Sequence, residues 1–342
     1  MPEFRQNMLT NEWVIIASER AKRPEDFQTG EEARPPLPEI SASCPFCPGH
    51  EAQTPPATLT VERSGKWAVR VVPNKFAALQ SYGSFRPKRV GRFLRAPGYG
   101  ISEVIIEAPQ HNLTLATMDD ESVETVVKAY KQRYKSAAQG DQICFVNIFQ
   151  NHGVRAGTSL EHPHSQLIAT PIIPPHVRNP IEQAVRYYDT HGQCVYCMML
   201  DEEIRRNERL ITESDYFIAY APFASRTPFE VRIMPKKHQA SFPDMGDRET
   251  ADFAGILRNI LARIHEGLNN PDYNFIIRSA PVGDENAKYF HWYLLIIPKL
   301  TTTAGFEIGT GIYINVTYPE QCAEFLKNIK VEAKASAKAR AS

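Results

Sequence analysis

Short apolar runs with strand character recur along the chain, and two long amphipathic stretches lie between them. The runs are rich in Val, Ile and aromatic residues, which favour extended backbone. They predict strands at 13–17, 67–72, 102–107, 143–150, 166–170, 216–220, 229–234, 273–279 and 292–297. Apolar residues three and four positions apart predict one helix around 123–134 and another around 253–264. Strands grouped around one long helix per half predict an α+β fold with mainly antiparallel sheets.

Three segments lack this periodicity. Residues 28–43 are rich in Pro, and residues 81–98 are rich in Gly and Arg, so both are predicted to be loops. Residues 334–342 consist mostly of Ala, Lys and Ser and are predicted to be a frayed tail.

The landmarks of the first half return in the second half in the same order. They are a Cys-x-x-Cys pair, a histidine after one strand and a histidine beside another. They stand at Cys44, Cys47, His111 and His162, and again at Cys194, Cys197, His238 and His291. Ordered recurrence of this kind indicates a divergent duplication, with one domain at 1–178 and the other at 179–342.

The two halves differ at one short motif. Residues 162–166 read His-Pro-His-Ser-Gln, whereas residues 291–295 read His-Trp-Tyr-Leu-Leu. The first histidine is kept in both halves, which indicates a structural task for His162. Side chains two residues apart on a strand share a face, so His164 and Gln166 are predicted to act together. Imidazole is a competent nucleophile near neutral pH, and the first half is therefore predicted to be the reactive one.

The landmarks shared by the halves predict two zinc sites, each with two cysteines and two histidines. Thiolate and imidazole are the ligands of tetrahedral zinc, and a Cys-x-x-Cys turn lets two sulfurs converge. A redox dithiol is the alternative for Cys44 and Cys47. No βαβ pattern surrounds that pair, and redox chemistry does not explain a second copy with two ordered histidines.

Composition excludes some partners. The 39 basic and 39 acidic residues cancel, so no global field favours nucleic acid or an anionic membrane. No apolar run approaches the length of a membrane span, and the first residues do not form a signal peptide. We therefore expect a cytoplasmic protein, whose paired thiols hold metal and do not form disulfides.

Several motifs together resemble one known family. They are Arg20-Ala-Lys-Arg-Pro24, Cys44-Pro-Phe-Cys47, Asn74-Lys-Phe-Ala-Ala78, His111, Phe149-Gln-Asn-His-Gly153, Gly157-Thr-Ser159, His162-Pro-His-Ser-Gln166 and Gly305-Phe-Glu307. The chain resembles the galactose-1-phosphate uridylyltransferase family, the transferase branch of the histidine-triad superfamily, over almost its whole length. The resemblance implies two tandem histidine-triad-like halves.

The resemblance also implies a ping-pong reaction of a nucleotide sugar. His164 would attack the α-phosphorus, expel hexose 1-phosphate and carry the nucleotidyl group to a second phosphorylated acceptor. The charge that develops at phosphorus needs hydrogen-bond donors, which Gln166 and Ser159 can supply. The backbone carbonyl of His162 would hold the unreactive ring nitrogen of His164 and fix its tautomer.

Further residues match positions that the family uses for binding. Those along the nucleotide and its phosphates are Asn74, Lys75, Asn151, Gly157, Thr158 and Ser159. Those that reach the sugar and phosphate from a neighbouring subunit are Arg20, Arg23, Phe306 and Glu307, which implies a homodimer. For the two arginines, a solvated charge cluster is the alternative interpretation.

Substrate and reaction class leave alternatives open. The family's broader chemistry, uridylyl transfer from UDP-glucose to galactose 1-phosphate, is the first prediction. The second Cys2His2 set, Ser165 in place of Gly and the segment 304–315 resemble a branch that includes ADP-glucose phosphorylase, which moves an adenylyl group from ADP-glucose to phosphate. A nucleotide hydrolase would not keep Gln166, and a zinc-stabilised binding module would not explain the asymmetry between the halves.

Overall fold

The computed structural model describes residues 1–17, 24–27 and 35–331. The strands in these ranges are β1 (Glu3–Gln6), β2 (Trp13–Ile16), β3 (Leu59–Arg63), β4 (Lys66–Pro73), β5 (Lys88–Val90), β6 (Phe93–Arg95), β7 (Ile101–Ile106), β8 (Phe145–His152), β9 (His164–Thr170), β10 (Leu210–Glu213), β11 (Phe217–Tyr220), β12 (Val231–Pro235), β13 (Tyr273–Arg278), β14 (Tyr293–Pro298) and β15 (Tyr313–Asn315). The α-helices are α1 (Asp120–Ala138), α2 (Pro175–His191), α3 (Val195–Arg206), α4 (Asp247–Gly267), α5 (Gly305–Thr310) and α6 (Pro319–Asn328).

Ten of the strands form one continuous antiparallel sheet. Their order is β10-β11-β12-β14-β13-β8-β9-β7-β4-β3. The two halves of the chain meet at its centre, where β13 pairs with β8 and Asn274 lies opposite Asn151. The α+β class and the mainly antiparallel pairing predicted from the sequence are confirmed.

The strand order repeats outward from this centre. The first half runs β8, β9, β7, β4 and β3, and the second half runs β13, β14, β12, β11 and β10. Within this sheet, each of the five strands of one half thus has a counterpart in the other, as a duplication predicts. The boundary between 178 and 179 stays a prediction, because the sheet is continuous across the two halves.

The two long helices cover one face of the sheet and pack against each other. Helix α1 begins after Asp119, whose side chain accepts a hydrogen bond from the backbone N–H of Ser122 at 2.7 Å. Both helices bury the apolar faces that the sequence predicts, which in α1 are Val123, Val126, Val127, Tyr130 and Tyr134, and in α4 are Phe253, Ile256, Leu257, Ile260, Leu261 and Ile264.

Several elements were not predicted. Strands β1 and β15 were not predicted, and they pair with the predicted strand β2 in a small separate sheet. Helices α2, α3 and α6 also lie outside the predicted set. The predicted loop 81–98 is wrong in part, because β5 and β6 form an exposed hairpin there. Its strands have three residues each and bury no face, so they leave no alternating pattern in the sequence.

The described part of the predicted Pro-rich loop, residues 35–43, has no helix or strand. Residues 28–34 of that loop and the predicted tail 334–342 lie outside the described residues. Among the described helices, none is both long and apolar enough to cross a lipid bilayer.

Two glycines provide a matched test of the packing. A Cβ atom at Gly100 would lie 2.4 Å from the carbonyl oxygen of Ala169 in β9, whereas a Cβ at Gly255 in α4 would meet no atom within 4 Å. We expect Gly100→Ala to destabilise the protein by about 1–3 kcal/mol, since either strand must shift. Gly255→Ala should stabilise it by about 0.5–1 kcal/mol through helix propensity. Chemical denaturation measures both, and equal midpoints for the two variants would contradict this packing.

Candidate active site and metal centres

Four buried side chains of the first half converge on one point. The ligand atoms of Cys44, Cys47, His111 and His162 all lie within 4.8 Å of one another. The Sγ atom of Cys47 is 3.7 Å from the Nδ1 atom of each histidine. Both cysteines lie in one tight turn, in which the backbone N–H of Phe46 donates to the Sγ atom of Cys44 at 3.4 Å. The four predicted ligands of the first metal site are therefore brought together.

The second ring nitrogen of His162 also has a partner. Its Nε2 lies 2.8 Å from the carbonyl oxygen of Ala108, so Nε2 carries the proton and Nδ1 keeps its lone pair towards the cysteines. Burial lowers the pKa of His162 to about 4, so the ring is neutral at pH 7. Burial also raises the pKa of the Cys44 thiol, and a bound cation would favour its thiolate. These donors fit a metal ion.

The second cluster is less complete than the sequence predicts. Cys194, Cys197 and His238 place their ligand atoms within 4.8 Å of one another, and His238 Nδ1 is 3.2 Å from Cys197 Sγ. The fourth predicted ligand, His291, lies outside this set, although its Nδ1 is 3.5 Å from Cys197 Sγ. Three residues that could hold a metal therefore meet here, and His291 is adjacent to them.

His164 is the first residue of β9 and projects away from the core. Its Nδ1 lies 2.8 Å from the carbonyl oxygen of His162, which is the hydrogen bond that the sequence predicts. With the proton on Nδ1, the lone pair of Nε2 is free to attack. Burial lowers the pKa of His164, which keeps the imidazole neutral. The Phe46 ring lies edge-on to this imidazole, with 5.5 Å between ring centroids. The arrangement suits a nucleophile.

Burial alternates along β9 and separates its two faces. Ser165 and Leu167 are buried in the core, whereas His164 and Gln166 lie on the opposite, partly exposed face, as predicted. His162 precedes the strand and lies in a bend, so only His164 and Gln166 share the strand face. The bend lets the His162 ring lie among the two cysteines and His111, while its carbonyl accepts a hydrogen bond from His164.

A cleft of about 550 Å³ opens beside His164. Of the predicted binding residues, Asn151 and Thr158 line it. The second half of the chain contributes three polar residues that the sequence analysis did not single out, His265, Asn270 and Asp272. Their spacing along the chain did not indicate a site, because only the pairing of β8 with β13 brings them beside the first half.

The other predicted binding residues lie around this cleft or further away. Gly157 has a φ of +94°, which glycine adopts without strain, and closes the turn before Thr158. Ser159 is exposed and does not line the cleft. Asn74 and Lys75 follow β4, two strands away from β9, and the Asn74 side chain accepts a hydrogen bond from the N–H of Phe76.

Two of the residues predicted to act across a dimer, Phe306 and Glu307, lie outside the set that lines the cleft beside His164. Both belong to the surface helix α5. The Glu307 carboxylate accepts a hydrogen bond from the backbone N–H of Ala304 at 3.0 Å, which caps the helix. Arg20 and Arg23 lie outside the described residues.

A buried polar cluster behind β9 was missed by the sequence analysis. We call it the Glu107 network: the Glu107 carboxylate accepts hydrogen bonds from Ser165, from Tyr130 and, at 2.6 Å, from Gln150. The Tyr273 hydroxyl of the second half donates to the side-chain amide oxygen of Gln150 at 3.0 Å. Burial raises the pKa of Glu107 to about 7, against the three hydrogen bonds that lower it. The available signal was a carboxylate directly after the apolar strand β7.

Comparison with known proteins identifies the family. The family model for the N-terminal domain of galactose-1-phosphate uridyl transferase matches residues 1–174. The chain belongs to the galactose-1-phosphate uridyl transferase family. It is therefore an enzyme of the nucleotidyltransferase class. A second model, a domain of unknown function, matches residues 112–339.

Two curated members of the family match along nearly the whole chain. An ADP-glucose phosphorylase of Arabidopsis thaliana is 36% identical over 96% of this chain and 93% of its own length. A galactose-1-phosphate uridylyltransferase of Thermotoga maritima is 29% identical over 97% of this chain and 100% of its own length.

Solved structures of the family share the fold. The crystal structure of the Arabidopsis thaliana ADP-glucose phosphorylase with bound ADP-glucose superposes with a TM-score of 0.81, at 34% identity, and the match covers 97% of this chain and 100% of that chain. A uridylyltransferase structure superposes with a TM-score of 0.74, at 26% identity, over 96% of this chain and 97% of that chain.

The two cysteine–histidine clusters generate a test. If both bind zinc, elemental analysis should find about two metal ions per chain, and Cys47→Ser and Cys194→Ser should each lose about one. Cys47→Ser should also lower the melting temperature, because metal binding at a structural site contributes to folding. Cys144→Ser is the matched control, since Cys144 belongs to neither cluster. Unchanged metal content after replacing Cys47 and Cys194 together would contradict the assignment.

Proposed function

We propose that the enzyme transfers a nucleotidyl group between a nucleotide sugar and a phosphorylated acceptor through a covalent intermediate on His164. The Nε2 lone pair forms a bond to the α-phosphorus, the bond from that phosphorus to the sugar-phosphate oxygen breaks, and hexose 1-phosphate leaves with the electron pair. An acceptor phosphate oxygen then attacks the same phosphorus, and the P–N bond breaks to restore the free imidazole.

One observation carries this proposal. His164 lines the cleft with its Nδ1 held by the carbonyl of His162, which leaves Nε2 as the nucleophilic atom. Gln166 on the same strand face supplies an amide donor for the charge that develops at phosphorus. The same positions of the second half carry Tyr293 and Leu295, so only the first half has this pair.

We propose ADP-glucose as the nucleotide sugar and inorganic phosphate as the acceptor. The similarity to the Arabidopsis ADP-glucose phosphorylase, at 36% identity and a TM-score of 0.81, supports the branch that the sequence analysis placed second. UDP-glucose with galactose 1-phosphate is the second candidate, supported by the uridylyltransferase of Thermotoga maritima, which matches over its whole length at 29% identity.

We further propose that zinc is the bound metal and that the working enzyme is a homodimer. Zinc is favoured by the thiolate and imidazole donors of both clusters, and at the first site it would hold the bend before β9. The dimer follows from the resemblance of Phe306 and Glu307 to residues that complete a neighbouring site. Phe306 is 45% accessible on α5, and Glu307 is partly buried there, which is compatible with that role.

The nucleophile and the base preference can be tested in one experiment. Protein incubated with ADP-glucose or UDP-glucose labelled at the α-phosphorus should retain label in an acid-labile, base-stable adduct. We expect the adduct with ADP-glucose to form faster, and phosphate to release it as ADP. His164→Ala should form none, whereas His191→Ala, at an exposed position on α2, should behave as the unmodified enzyme. Normal turnover of His164→Ala would end the covalent proposal, and faster labelling by UDP-glucose would favour the second candidate.

Gln166 is expected to decide between transfer and hydrolysis. An amide donates to a phosphate oxygen without adding an acid or base that could activate water. If the amide donates to the charged phosphate oxygen in the transition state, Gln166→Ala should raise the activation free energy of nucleotidyl transfer by about 2–4 kcal/mol. Product partitioning with labelled nucleotide sugar and saturating phosphate is the measurement. If the unmodified enzyme releases mainly nucleoside monophosphate, the protein is a hydrolase.

A further inference from the structure

The Glu107 network lies directly behind the two reactive side chains. Ser165 stands between His164 and Gln166, and its hydroxyl points to the core side of β9. Through Glu107 it is linked to the end of β7, to Gln150 of β8 and to Tyr130 of α1. The Ser165 and Tyr130 hydroxyls are also 2.6 Å apart. Three neighbouring elements are thereby tied to the backbone position that separates the reactive pair.

The strand register identifies the same positions in the second half. Ser165 lies opposite Ile105 and Gln150, and its counterpart Leu294 lies opposite Ile233 and Ile277. Gln150 therefore corresponds to Ile277. Both Leu294 and Ile277 are fully buried.

The remaining two members also have apolar counterparts. Glu107 stands two residues after Ile105, and Pro235 stands two residues after Ile233. Tyr130 follows the N-cap of α1, Asp119, by the same distance as Leu257 follows the N-cap of α4, Gly246. All four positions of the network are thus occupied by buried apolar residues in the second half: Pro235, Leu257, Ile277 and Leu294.

The fold therefore does not require polar residues at these four positions. The second half fills the four corresponding positions with buried apolar residues, whose side chains form no hydrogen bonds. Burying a carboxyl group costs free energy unless every partner is in place, and apolar replacements of buried polar groups are often neutral or stabilising. A fully bonded network does hold its members in one geometry. The polar solution occurs in the half that has a nucleophile.

We propose that Glu107, Tyr130, Gln150 and Ser165 are positioning residues, which set the orientation of His164 and Gln166 for nucleotidyl transfer. The inference rests on the proposed function, because it assigns to the network the geometry of that reaction. Attack on phosphorus requires the nucleophilic nitrogen in line with the leaving oxygen, and small displacements are costly in rate. None of the four side chains needs to contact the substrate.

The test compares hydroxyl deletions inside and outside the network. Tyr130→Phe and Ser165→Ala should each lower kcat on the order of 10- to 100-fold, with KM within about twofold, because the loss is one of alignment. The double variant should lose little more than either single one, since the residues act as a unit. Tyr134→Phe is the control: it lies one turn further along α1, is equally buried, and donates to the carbonyl of Ala280 instead. Its kcat and the metal content of all variants should be unchanged.

A second readout does not depend on turnover. With ¹⁵N-labelled histidine, the ring signals of His164, identified by their loss in His164→Ala, should shift in Tyr130→Phe and Ser165→Ala and stay in place in Tyr134→Phe. Unmodified protein that forms no adduct would overturn the proposed function alone, and unshifted signals would overturn the network alone. An active enzyme whose network variants match Tyr134→Phe in kcat would also overturn the network.

Discussion

The site depends on the double constraint at His162. Its ring lies among the side chains of Cys44, Cys47 and His111, which together could hold a metal ion, and its carbonyl accepts a hydrogen bond from His164. The ring therefore fixes where the chain bends, and the carbonyl fixes which nitrogen of His164 is free. A metal ion on the cluster would turn a local bend into a rigid support for the nucleophile. The tautomer of His164 thus depends on the position of the His162 carbonyl, directly before β9.

The continuous sheet explains why one active site draws on both halves. Pairing of β8 with β13 places Asn274 against Asn151 and brings the loop after α4 beside His164. The second half has lost the reactive pair, but it supplies one wall of the cleft. The cleft is therefore lined by residues of both halves, and the proposed nucleophile comes from the first half.

The two halves fill the space behind equivalent strands, β9 and β14, in different ways. Apolar packing behind β14 is stable without exact hydrogen-bond geometry, whereas the Glu107 network behind β9 requires every donor to be in place. Packing between apolar side chains has no strict directional requirement, whereas a buried carboxylate loses hydrogen bonds when any of its three donors moves. The hydrogen-bonded network lies behind the strand that carries His164, the proposed nucleophile.

The sequence by itself determined the local features of this protein. Alternation and helical spacing predicted the main strands and both long helices, because each buries one regular face. The repeated Cys-x-x-Cys and histidine landmarks predicted the first metal cluster, and the mismatch between residues 162–166 and 291–295 singled out His164 and Gln166.

Only the tertiary structure decided what depends on residues distant in the chain. The order of the sheet, the cleft wall from the second half and the partners of Glu107 have no local pattern, because each is set by which strands pair. The exposed hairpin of β5 and β6 left no pattern either, since neither strand buries a face. His291 could be aligned with His162 by sequence, but its position relative to the other three ligands is a matter of distances, which periodicity does not contain.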